Sequence, residues 1–184
     1  METIYNTELR TIEASPIKSN GFILDIGGGG EGIIGKLNGS QVIAIDTNKR
    51  ELIETRNDAP KVVMDATGLK FPPKSFDVCT AFFSLMYIPK SKHTKIFEEV
   101  FRVLKETGRF YIWDVNIPEN VAGYSIFVVN LLVKLPNAEI RTAYGTKWRV
   151  QNIGHFKELA NRTGFKVTRE LSNHEVFHLE TRKY

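Results

Sequence analysis

The chain has 184 residues, 42% of them hydrophobic and 25% charged, with a formal net charge of +4. That length suits one domain with a sizeable core, and the composition excludes a wholly disordered or fibrous chain. A single cysteine, Cys79, excludes an intramolecular disulfide framework, and the scattered basic residues point away from a dedicated nucleic-acid binder.

Residues 1–20 are polar and weakly patterned, with a short helix expected over 7–14 and stopped before Pro16. Met1-Glu2-Thr3-Ile4-Tyr5 has neither the basic nor the apolar region of a signal peptide. A first strand over 21–26 runs into Gly27-Gly28-Gly29-Gly30-Glu31-Gly32, and a helix over 31–37 closes at Asn38-Gly39. A second strand over 41–45 ends at Asp46, and Thr47 or Asn48 caps a helix over 49–57. A third strand over 61–64 ends at Asp65, after which Pro72-Pro73 keep 66–75 irregular. The fourth strand covers 76–82 and carries Cys79 as a buried, inert thiol. Ser91 caps a helix over 92–104, Gly108 ends it, and a fifth strand covers 109–115.

Residues 116–150 change pattern and read as an added β-hairpin, with an amphipathic helix over 121–134 as the alternative. The apolar run 121–135 is broken by Gly123, Ser125, Asn130 and Lys134 and falls short of the ~20 residues of a spanning helix, so no membrane contact and a cytoplasmic protein are expected. A last helix over 154–163 closes at Gly164, and strands over 165–171 and 176–181 form an antiparallel hairpin at the sheet edge. Strand–helix alternation with apolar strands predicts an α/β, Rossmann-like, doubly wound and mostly parallel sheet. The whole of 1–184 is then one domain, with 116–150 as an inserted hairpin or lid that also offers a homodimer surface.

Glycines between an apolar strand and a helix suit a turn with positive φ whose backbone lies close to a ligand, at a helix start that offers free N–H groups. Ligands of open α/β sheets sit at the carboxyl ends of the strands, where Asp25, Asp46 and Asp65 fall. Asp46 stands 19 residues after Gly27, the spacing at which an acid reaches both hydroxyls of a ribose. Asp65 can accept from the exocyclic amine of a purine while the backbone after it donates to ring nitrogens. Gly27, Gly29 and Gly32 also satisfy the G-x-G-x-x-G dinucleotide pattern. Asp25 opposes that option, because a carboxylate repels a pyrophosphate and attracts an ammonium or a sulfonium compound.

The stretch Ile23-Leu24-Asp25-Ile26-Gly27-Gly28-Gly29-Gly30-Glu31-Gly32 resembles the first motif of class I S-adenosylmethionine-dependent methyltransferases, and Ala44-Ile45-Asp46 their second. Met64-Asp65-Ala66-Thr67, Leu69-Lys70-Phe71-Pro72 and Ser75-Phe76-Asp77-Val78 are similar to their adenine region and fourth strand. The resemblance is to small type 11 members and covers residues 20–115, with the last helix and the strand after Gly164 also fitting. It implies S-adenosyl-L-methionine as cofactor and S-adenosyl-L-homocysteine as product. The cofactor residues it implies are Asp25, Gly27, Gly28, Gly29, Asp46, Thr47, Asp65, Ala66 and Phe82. The family has D-x-G-x-G-x-G, and Glu31 stands where its last glycine would be.

No Asn/Asp-Pro-Pro-Tyr sequence follows the fourth strand, and Cys79 is not on a loop, which removes base- and glutamine-directed subclasses. No side chain stands out as a general base: Asp114, Tyr87, His93 and His155 are the nearest, with the histidines expected at the surface or as caps. Tyr87, Tyr124, Tyr144 and Trp148 are expected in packing rather than in a pocket, and no residue set has metal-ligand spacing. The leading expectation is methyl transfer to a small-molecule acceptor, with no nucleic-acid partner. The alternatives are an NAD(P)-dependent oxidoreductase, a non-catalytic cofactor-binding module and, more remotely, an RNA methyltransferase.

Overall fold

The computed structural model describes residues 2–120 and 122–184; Met1 and Val121, the first residue of the apolar run, lie outside them. In chain order the strands are β1 (Ile4–Glu13), β2 (Ile23–Ile26), β3 (Val42–Asp46), β4 (Lys61–Val63), β5 (Phe76–Phe82), β6 (Leu104–Val115), β7 (Ile126–Leu135), β8 (Ala138–Lys147), β9 (Phe165–Asn173) and β10 (Val176–Lys183). The helices are α1 (Ile33–Asn38), α2 (Lys49–Glu54), α3 (Lys90–Val103) and α4 (Ile153–Thr163). Seven strands form one sheet in the order β4-β3-β2-β5-β6-β10-β9. Strands β2 to β6 run parallel, and β10 inserts antiparallel between β6 and β9, so β9 alone is the edge of the C-terminal hairpin.

The central strands read as apolar runs because both faces are covered. On one face, Ile96, Phe97 and Val100 of α3 and Phe156 and Ala160 of α4 are fully buried against Phe110, Ile112 and Leu179. Each large side chain removed from water in this way contributes roughly 2–3 kcal/mol. On the other face, Ile33 and Ile34 of α1 pack in one core with Phe127, Val129, Leu131 and Val133 of β7, all buried.

The strand β7 belongs to a second, three-stranded sheet of order β1-β7-β8. The hairpin β7–β8 turns at Pro136-Asn137, as its sequence suggested, and the helical alternative for 121–134 is wrong. The helix expected over 7–14 is also wrong: those residues lie in β1, paired parallel to β7. A bulge between Asn6 and Leu9 breaks the period-two pattern that would have marked a strand. Asn130 holds that bulge, donating from its backbone to Thr7 Oγ1 at 3.0 Å and from Nδ2 to Thr7 O at 2.9 Å. Arg10 ties this sheet to the main one through Glu175, with Nη2 and Nε each 2.7 Å from Oε2.

Smaller corrections concern element ends. The first helix starts at Ile33 behind Gly32, which has φ 57°, so Glu31 stays in the turn. Pro89, not Ser91, precedes α3. Gly108 lies inside β6, which starts at Leu104 directly after the helix. Asn48 caps α2, its Oδ1 accepting from Arg50 N at 3.1 Å, and Gly164 closes α4 in the left-handed conformation.

Candidate functional site

The chain leaves β2 towards β3 on one side, while β5 pairs on the other, so the carboxyl ends of these strands open a crevice. A cavity of about 840 Å³ occupies it. All nine residues predicted for the cofactor line this cavity: Asp25, Gly27, Gly28 and Gly29 from the turn, Asp46 and Thr47 after β3, Asp65 and Ala66 after β4, and Phe82 at the end of β5.

The glycine turn is pinned to the sheet. Gly27 N and Gly28 N both donate to Ile45 O, at 2.8 and 3.0 Å, and Ser84 Oγ donates to Ile26 O at 2.7 Å. Gly27 has φ 71°, in the left-handed region. The reason for glycine here differs from the sequence expectation of a backbone cleared for a ligand. A Cβ on Gly27 would stand 2.3 Å from Ser84 Cβ, and one on Gly28 2.7 Å from Ala44 Cβ. Close packing of the turn onto neighbouring strands excludes side chains there. At Gly29 a Cβ would lie 2.9 Å from Asp46 Oδ2, so this glycine leaves that carboxylate open to the cavity.

The three acids differ in state. Asp46 accepts from Asn48 N at 2.8 Å through Oδ1 and only weakly from Gly29 N, at 3.3 Å, through Oδ2. Its free lone pairs and partial exposure suit two hydroxyl donors. Asp65 takes both the Thr67 N–H and the Thr67 hydroxyl on Oδ1, each at 2.8 Å, which leaves Oδ2 free. Those bonds, led by the backbone N–H, hold its carboxyl below the usual carboxylate range. Asp25 is buried, 2% exposed, and accepts from Thr80 Oγ1 at 2.7 Å through Oδ1. Burial pushes its carboxyl up to about 7 against the Thr80 bond, with the Asp46 charge adding to the rise. It is consequently not the permanent charge the sequence suggested, but a group that a nearby cation would help to ionise.

The residues fit an adenosyl amino-acid cofactor. Asp46 offers a carboxylate to a ribose, Asp65 an oxygen to an adenine amine, and Asp25, in the same cavity, an acid to an ammonium.

Several side chains were misjudged from sequence. Tyr144 of β8 lines the cavity and stacks on Phe83, with ring centroids 5.7 Å apart and planes within 22°. Tyr87 lines it too, on a turn over residues 85–87. Tyr124 and Trp148 do pack, stacked on each other at 5.7 Å beside Tyr5 and Phe127. No sequence signal exposes Tyr144, because its placement depends on how the second sheet docks. His93 is no surface residue: it is 1% exposed, its Nε2 faces Leu85 O and Ile88 O, and its Nδ1 meets His155 Nε2 at 2.9 Å. Asp114 is buried and accepts from Met86 N, Val115 N and Gln151 Nε2, so it holds the backbone behind the cavity instead of facing it. Among the described residues no group of three metal-ligating side chains occurs.

Residues 24–112, which hold the turn and all three acids, match the family described as "Methyltransferase domain", type 11. Over that stretch the chain is similar to the class I S-adenosylmethionine-dependent methyltransferases. Their cofactor is S-adenosyl-L-methionine, with S-adenosyl-L-homocysteine as product. An S-adenosylmethionine-dependent methyltransferase from Methanosarcina mazei shares the fold, with a TM-score of 0.66 at 18% identity over 91% of this chain and 94% of that one. An uncharacterized protein of Methanocaldococcus jannaschii is 29% identical over 83% of this chain and 50% of its own length. The chain thus spans half the length of that relative. The ubiquinone/menaquinone biosynthesis C-methyltransferase UbiE of Pseudoalteromonas translucida is 24% identical over 86% of this chain and 72% of its own. Among the described residues no helix is long and apolar enough to cross a membrane.

Proposed function

We propose that the chain transfers a methyl group from S-adenosyl-L-methionine to a small-molecule acceptor. The observation that carries this reading is the convergence of Asp25, Asp46 and Asp65 on one cavity closed by the aromatic pair Phe83 and Tyr144. Bound S-adenosylmethionine supplies a methyl already activated by a sulfonium leaving group. Asp46 holds the ribose hydroxyls, Asp65 accepts the adenine amine, and Asp25 draws the ammonium to the turn. Phe82 and Phe83 exclude water from the reacting end, and β8, in the role of a lid, carries Tyr144 over it. Alignment of two reactants in this manner supplies much of a methyl transfer's rate, so the lack of a conspicuous base is no obstacle. A relative named for ubiquinone and menaquinone biosynthesis supports a compact, ring-bearing acceptor.

Incubation with S-adenosylmethionine and a panel of small acceptors, followed by S-adenosylhomocysteine release, tests the reading. Release above the acceptor-free rate is expected. Bound cofactor with no turnover on any acceptor would favour a non-catalytic binding module.

A further inference from the structure

The cavity is unbalanced in charge. Six acidic side chains line it, those of Asp25, Glu31, Asp46, Glu51, Glu54 and Asp65, against the single cation of Lys92. Lys92 acts at the adenine end, where its charge helps to depress Asp65. Asp25, Asp46 and Asp65 are accounted for by the cofactor, and Glu54 pairs with Arg50 at 2.7 Å. Glu31 and Glu51 remain, and among the described residues neither side chain has a cationic partner.

Both glutamates line the same cavity as Tyr87 and Tyr144. The Glu31 charge acts on the Tyr144 hydroxyl, and the Glu51 charge, after that of Asp114, acts on the Tyr87 hydroxyl. Burial keeps both phenols protonated and neutral, raising Tyr144 and pushing Tyr87 up to about 12. Phe83 is buried and stacks on Tyr144, which backs the Tyr144 ring where it lines the cavity together with the unpaired Glu31 carboxylate. Ring faces and a carboxylate both attract a cation, and both repel an anion. Glu31 also occupies the position where the methyltransferase pattern has glycine, so this charge belongs to the chain and not to the shared cofactor cradle.

We infer that the acceptor is an ammonium-bearing molecule, an arylalkylamine in particular, and that Glu31, which shares the cavity with Tyr144, selects it over neutral and acidic rings. The inference rests on the proposed methyltransferase reading and names the acceptor class of the same site. Its recognition elements are separate from the cofactor's: Glu31 takes the N–H groups, and Tyr144 takes the ring.

The test is calorimetric titration of protein first saturated with S-adenosylhomocysteine. The probes are two amines, tryptamine and tyramine, their acidic counterparts indole-3-acetate and 4-hydroxyphenylacetate, and the neutral 3-methylindole and 4-ethylphenol. At least one amine is expected to bind about tenfold or more tightly than its acidic and neutral counterparts. Glu31→Gln should remove that preference while S-adenosylhomocysteine still binds, which also shows the variant folded. Glu31→Ala serves if the amide variant does not fold. Equal binding of neutral or acidic rings, no binding of either amine, or a preference that survives the loss of Glu31 would overturn the inference. Failure of the wild-type protein to bind S-adenosylhomocysteine is read before any amine is added and would overturn the cofactor reading beneath it.

Discussion

Tyr144, on a strand of the second sheet, stacks on Phe83, the residue that follows the central strand β5, at 5.7 Å between ring centroids. This contact makes the two sheets a single cavity. Phe83 reaches it with φ 48°, in the left-handed region, and its amide donates to Trp113 O at 2.7 Å. A non-glycine residue there costs on the order of 1–3 kcal/mol, and the buried ring offsets it.

Phe83→Gly separates the two terms. Glycine relieves the backbone, but the lost ring removes roughly 3–5 kcal/mol of packing, as large-to-small core changes do. Urea unfolding should show a net loss of about 2 kcal/mol, the difference between the middles of the two ranges. An unchanged or raised stability would mean that the ring contributes little.

With Asp25 at the cofactor's ammonium, as proposed, cofactor binding is expected to depend on pH. Its carboxyl is raised to about 7 in the fold, so the folded chain retains a proton that the unfolded chain gives up near 4. Stability from this group is therefore present at low pH and lost as pH rises to about 7. A bound ammonium favours the carboxylate, so S-adenosylhomocysteine should bind more tightly as pH rises from 6 to 8, releasing a proton below 7. Asp25→Asn should flatten that profile and weaken binding at pH 8. Calorimetry in buffers of different ionisation enthalpy reads the proton directly; a pH-independent wild-type affinity would contradict the assignment.

The His93–His155 pair works in the opposite sense. With Nε2 facing two carbonyls, His93 carries its hydrogen there and accepts at Nδ1 from His155. Burial lowers both rings, His155 to about 4, with the neighbouring histidine adding to the fall. The neutral pair thus contributes stability above about 6.5 that disappears as pH falls towards 4. His155→Ala should lose stability at pH 7.5 and lose progressively less as the medium becomes acidic. A stability difference independent of pH between 4.5 and 7.5 would show that the pair is only a packing contact.

How much of this was legible in the sequence follows from where each signal resides. The main sheet announces itself because β2, β3 and β5 are short apolar runs that end in Asp, Gly or a turn, and these local patterns survive folding. Asp46 and Asp65 could be placed because strand ends fix where their side chains emerge. The second sheet was half visible: Pro136-Asn137 marks the β7–β8 hairpin, but the bulge between Asn6 and Leu9 disguises β1, whose parallel partner lies more than a hundred residues away. The Tyr144 side of the cavity was hidden for the same reason, since Tyr144 reaches Phe83 only after that sheet docks. The ionisation of Asp25 was misjudged because burial and the Thr80 hydroxyl are properties of the packed sheet.

The central claim is that the carboxylate ending β3 grips the ribose of an adenosyl cofactor over the glycine turn. Titration of S-adenosylhomocysteine into wild-type protein and Asp46→Ala, with folding checked by circular dichroism, tests it most directly. Loss of a charge-assisted contact to two hydroxyls should weaken binding by about 10- to 100-fold with the fold intact. A folded Asp46→Ala variant that binds as tightly as the wild type would contradict the account.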